Sequence, residues 1–160
     1  MKRTITAILT LVASCLMLAV CMAPISSATE LPDNPQSSTV EYIYADDSMV
    51  NNHGLVQELY GTLTNNIGRV GSMNNGSIGS NTGTISWMYG GTVASNSGTI
   101  CTMYGGEVTS NSGTIEWQYY GTIAENAAGG TIERVNKTQY QQGTVTIDGG
   151  IIKHVGGSYM

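Results

Sequence analysis

A fifteen-residue period governs this chain. Glycine recurs at 61, 76, 91, 106 and 121, and asparagine at 66, 81, 96, 111 and 126. The clearest copies are GTVASNSGTICTMYG, residues 91–105, and GEVTSNSGTIEWQYY, residues 106–120. The pattern divides into a half of the form G-T-[VIL]-x-x-N-x and a half of the form G-T-[VI]-x-x-M-Y-G, from which the second copy departs at Glu107, Gln118 and Tyr120. Glycine at this density rules out a sustained helix, since each interior glycine costs about 1 kcal/mol relative to alanine. Short runs of Val, Ile and Thr between Gly and Asn specify brief strands and tight turns. One copy offers only Val93, Ile100 and Met103 as apolar positions, too few for a core of its own. Stacking in register merges such positions into columns. The expected fold is therefore all-β: a single-stranded β-solenoid of about seven fifteen-residue coils. At the ~4.8 Å spacing of paired strands it is a rod roughly 30–35 Å long, of unspecified handedness.

The repeat is readable from GLVQELY (54–60) to GTVTIDG (143–149) and GIIKHVGG (150–157), with a phase break near 136–142. Ahead of it stands a secretion signal. Lys2 and Arg3 precede an apolar run from Ile5 to Ala23, and Ser26-Ser27-Ala28 supplies the small residues that a signal peptidase requires. The expected organisation is a signal peptide over 1–28, cleaved after Ala28, and an N-terminal segment or cap over 29–53. The array follows over 54–157, and a short end over 158–160. The mature product is secreted and carries no membrane span. The alternative is a lipid anchor at Cys15, within the lipobox-like Val12-Ala13-Ser14-Cys15.

Beyond Ala28, the basic residues Arg69, Arg134, Lys137 and Lys153 stand against eleven acids, a net charge of −7. No basic patch exists for nucleic acid or an anionic membrane surface. Cys101 is the one cysteine left after cleavage, so no internal disulfide can form; its role is not specified by the sequence.

Stacked at one coil spacing, the amides of Asn66, Asn81, Asn96, Asn111 and Asn126 can bond one another in a structural ladder. A metal role is disfavoured, because calcium-binding repeats use Asp in nine-residue units. Thr84, Thr99, Thr114 and Thr131 form a second column, which raises ice binding as one alternative. The neighbouring outward column, Ser86, Cys101, Glu116 and Glu133, is too irregular and charged to favour it.

The aromatic residues are the candidate ligand-binding set. Tyr89, Tyr104 and Tyr119 recur at the period, and Trp87 and Trp117 fall two coils apart on the same edge, ~9–10 Å by strand spacing. They form either a ladder that stabilises the stack or a platform for sugar rings or a partner protein. Chemistry is otherwise sparse. His53 and His154 lie at opposite ends, and no HExxH, CxxC, GxSxG or phosphate loop occurs. Glu107 has no acid at the same position in neighbouring copies, and Glu107 and Glu116 read as solvated surface charge. No catalytic residue, cofactor or metal is expected.

Two segments, Ser95-Asn96-Ser97-Gly98-Thr99-Ile100 and Ser110-Asn111-Ser112-Gly113-Thr114-Ile115, resemble the core of GLUG-type repeats. Such repeats occur in bacterial surface adhesins and secreted IgA-peptidase-like proteins. The continuation Met103-Tyr104-Gly105-Gly106-Glu107-Val108 is similar to the same motif. The resemblance implies a bacterial, extracellular, solenoid-like module and no reaction. The function expected first is adhesion, by binding a glycan or a host or cell-surface protein without catalysis. A structural rod that self-associates end to end comes next, then ice binding, then a polysaccharide-processing β-helix.

Overall fold

The computed structural model describes residues 28–136 and 145–156. The expected leader up to residue 27, most of the phase break and the 158–160 end lie outside the described residues. Those residues form an all-β solenoid of about seven coils, with two parallel eight-stranded sheets on its opposite sides. The first sheet runs through Glu30–Leu31, Ser48–Asn52, Thr62–Asn66, Ser77–Asn81, Thr92–Asn96, Glu107–Asn111, Thr122–Asn126 and Val145–Ile147. It is called the asparagine sheet below. The second, the methionine sheet, runs through Thr39–Ile43, Leu55–Leu59, Arg69–Met73, Thr84–Met88, Thr99–Met103, Thr114–Gln118, Thr131–Asn136 and Ile151–Gly156.

Register follows the period. Thr99 pairs with Thr84 on one side and Thr114 on the other, fifteen residues away each time. The coil length nevertheless varies. Leu55 pairs with Arg69, fourteen residues on; Thr114 with Thr131, seventeen on; and Thr131 with Ile151, twenty on. The two extra residues before Thr131 fall in the turn at 127–130, outside the strands, whereas Val145–Ile147 pairs with Thr122–Asn126 through a register shift between Ile123 and Asn126.

Within most five-residue strands the second and fifth positions are buried. A flat strand sends those two positions to opposite faces. Each strand therefore turns near its third residue, and the β-pairing skips that residue, as at Cys101. Every regular coil thus has four inward positions. Three form apolar columns, as in Val93, Ile100 and Met103, all fully buried. The fourth is asparagine. Glycines close the corners: a Cβ at Gly98 would overlap the carbonyl oxygen of Gly83, and Gly91, Gly106 and Gly121 adopt φ of 85°, 85° and 93°.

The coils begin earlier than Gly54. Glu30–Leu31 already pairs with Ser48–Asn52, and Thr39–Ile43 with Leu55–Leu59. Residues 29–53 thus contribute coil strands. Their turns use other chemistry than the repeat glycines, with Ser38 N–H donating to Pro35 O and Asp47 N–H to Tyr44 O.

Candidate functional site

The asparagine column is a continuous chain of buried amides. Nδ2 of Asn52, Asn66, Asn81, Asn96 and Asn111 donates to Oδ1 of the next member, ending on Asn126, at 2.7–2.8 Å throughout. Asn34 extends it by one rung toward the N-terminus, and its own Oδ1 accepts from Ser38 Oγ. The last amide donates to Ile151 O, where Ile147 takes the next inward place. The asparagine carbonyls hold the turns as well. Asn81 O accepts both Ser97 N–H and Gly98 N–H, and Asn96 O accepts Ser112 N–H and Gly113 N–H. With both amide and carbonyl engaged inside the rod, these residues are unavailable to a ligand.

The aromatic residues lie along one edge of the methionine sheet. Tyr89 and Tyr104 stack at 5.3 Å between ring centroids, Tyr104 and Tyr119 at 5.2 Å, and Tyr119 and Trp117 at 5.8 Å, with planes within 10° of parallel. The Arg134 guanidinium sits 4.2 Å from the Trp117 ring centroid, a cation–π contact. The faces of Tyr104, Tyr119 and Trp117 are thus directed at one another or at a guanidinium. What this part of the strip shows to solvent is ring edges. Trp87 differs. It shares the outward column Ser72–Trp87–Thr102–Trp117, is 45% exposed, and makes no ring contact among the described residues.

Trp87 also walls a groove of about 320 Å³ bounded by Leu55, Gln57, Glu58 and Arg69 and floored by Gly71 and Ser72. The groove exists because one strand, Arg69–Met73, places two small outward residues, Gly71 and Ser72, side by side. Its coil also carries Asn74 in the tyrosine column. Glu58 Oε2 accepts from Tyr60 Oη at 2.7 Å and from Asn74 Nδ2 at 3.4 Å. Donation to Glu58 holds the Tyr60 hydroxyl above its ordinary pKa. Arg69 Nε donates to Ser86 Oγ at 2.9 Å, laying the guanidinium across the sheet.

A second cleft, of about 230 Å³, lies beside Trp117, Gln118, Tyr119, Arg134 and His154. Gln118 stands where the preceding coils have Met103, Met88 and Met73. Its Nε2 donates to Gly121 O at 3.0 Å, and its buried Oε1 has no partner among the described residues. His53 and His154 do not meet, and no cluster of His, Cys, Asp or Glu among the described residues could hold a metal ion. Among the described residues no helix is long and apolar enough to cross a membrane. Comparison with family models, curated proteins and solved structures finds no match.

Sequence reasoning grouped the five aromatic residues on one edge but missed the groove. The signal was a departure from the repeat: Gly71-Ser72 where the other copies carry Ser86-Trp87, Cys101-Thr102 and Glu116-Trp117.

Proposed function

We propose that this protein is a secreted or cell-surface binding rod, non-enzymatic, that adheres to a glycan or to a protein surface through the aromatic edge of its methionine sheet. The observation that supports it best is the exposed, unstacked Trp87 on a groove with polar walls. Exposed aromatic side chains on a rigid scaffold are what binding hot spots are made of. The stacked rings beside it serve as scaffold. The resemblance to GLUG-type adhesin repeats fits the same reading.

A glycan array and a cell-binding assay with the mature chain test this proposal. The expected result is binding that Trp87→Ala weakens about tenfold or more at unchanged melting temperature. An indole emission that resists acrylamide, with no binding to either array or cells, sinks it.

One observation favours the structural alternative. In the coil Val145–Gly156, the inward positions Ile147 and Val155 are 48% and 45% exposed, whereas the equivalent positions elsewhere are buried. Stacking of a second rod there would bury them. Concentration-dependent dimerisation in sedimentation, lost on Val155→Lys, would support this reading; a monomer at all concentrations removes it.

A further inference from the structure

We propose that the groove at Gly71–Ser72 is a subsite for one neutral pyranose unit of a glycan; this rests on the adhesion reading above and names its ligand class. The argument starts from shape. Glu58, Ser72 and Trp87 are successive members of one outward column. Glu58 and Trp87 are therefore two strand spacings apart, about 9.6 Å. Between them the chain carries a hydroxymethyl at Ser72 and nothing at Gly71. A Cβ at residue 71 would crowd Gln57 O, 2.7 Å away, so the floor is held at backbone level. The slot is one coil wide, room for a single saturated ring against the indole.

The chemistry of the walls selects the ring. Trp87 offers an apolar face to axial C–H groups. Glu58 and Gln57 supply acceptors, Arg69 supplies donors, and Ser72 supplies both. Carboxylate and guanidinium can each take two hydroxyls of a vicinal diol. Both are held by neighbours rather than left to rotate: Glu58 by Tyr60 and Asn74, Arg69 by Ser86. Preorganisation of this kind lowers the ordering cost of binding. One negative and one positive group face the same slot, so an anionic or cationic ligand gains at one wall what it loses at the other. A polyhydroxylated neutral ring engages both. A uronate or a charged peptide is disfavoured on the same ground.

The test uses the mature chain and isothermal titration calorimetry, which reads binding with or without Trp87. The probes are neutral oligosaccharides of glucose, mannose, galactose and N-acetylglucosamine, with oligogalacturonate as the acidic probe. The expected result is saturable binding of at least one neutral oligosaccharide. Trp87→Ala should weaken it about tenfold or more, the loss expected of one stacking contact. Ser72→Tyr, which fills the slot and leaves Trp87 in place, should abolish it. Ser95→Tyr, an exposed change on the opposite sheet, should leave it intact. Preference for oligogalacturonate, or neutral binding indifferent to Ser72→Tyr, overturns the subsite while leaving adhesion standing. Binding of a cell-surface protein with no oligosaccharide bound does the same. Absence of any glycan or protein binding overturns both.

Discussion

At the residue scale the decisive side chain is asparagine. Inside the rod each amide meets the amide at the same position of the next coil, several also donating to a backbone carbonyl, and each rung supplies both an acceptor and a donor. All amides from Asn34 to Asn126 point the same way, so their dipoles align and reinforce one another. Removing one rung leaves a donor below and an acceptor above unpaired. Asn111→Ala should therefore destabilise by about 1–3 kcal/mol, whereas Ser110→Ala, at a half-exposed outward position, should change stability by less than about 0.5 kcal/mol. Equal denaturation midpoints for the two would show that the amides do not act as a ladder. Cys101 gives a second check at this scale. Partial burial raises its thiol pKa, Glu116 adds to the rise, and Arg69 opposes it. A raised value means less thiolate at a given pH, and thiolate is the nucleophile. Iodoacetamide at pH 8 should alkylate native Cys101 more slowly than the unfolded chain, with the rate recovering as pH climbs through the raised value. A native rate at or above the unfolded one contradicts this.

At the element scale each strand is a two-cornered segment, which explains both what could be read from the sequence and what could not. The period places Val93, Ile100, Met103 and Asn96 at the same height in every coil, so the solenoid and its columns were legible from spacing alone. Coil boundaries were legible only where glycine marks the turn. Thr39–Ile43 pairs like any later strand, yet its flanking turns use Pro35, Ser38 and Asp47, and the glycine pattern passes over it. Ring orientation was not legible at all. Spacing brings Tyr89, Tyr104 and Tyr119 into line, but side-chain rotation decides whether faces meet each other or the solvent. Gln118 was equally hidden. Gly76, Gly91 and Gly106 each accept a backbone N–H from the following coil, whereas among the described residues Gly121 O is met by Gln118 Nε2. The stack makes its own prediction. Tyr104 has ring partners in both neighbouring coils, each such pair contributing about 0.5–1.5 kcal/mol. Tyr104→Ala should lower the melting temperature clearly, and Trp87→Ala should leave it nearly unchanged. The reverse order would mean that Trp87 is the structural ring and the tyrosines are not.

For the whole molecule, fifteen residues carry the chain once around the rod and back to the same four columns. Stability then accumulates coil by coil, each unit contributing its own term and one interface with each neighbour. Deleting residues 91–105 removes one full turn. Asn81 then meets Asn111, Ile85 meets Ile115 and Tyr89 meets Tyr119, so these columns close over the gap with like residues, and Met88 takes the place of Met103 against Gln118. Deleting residues 91–97 removes only half a turn. The strand Thr99–Met103 then enters the asparagine sheet, and Met103 comes to rest above Asn81. An unpaired amide is left against a thioether, and every later strand occupies the wrong sheet. The two deletions differ by only eight residues, yet their expected outcomes are opposite. The full-coil variant should retain a strand-dominated circular dichroism spectrum and unfold cooperatively at a lower temperature. The half-coil variant, although it keeps more of the chain, should lose cooperative unfolding. If both fold equally well, or both fail alike, the columns do not determine the register of this rod.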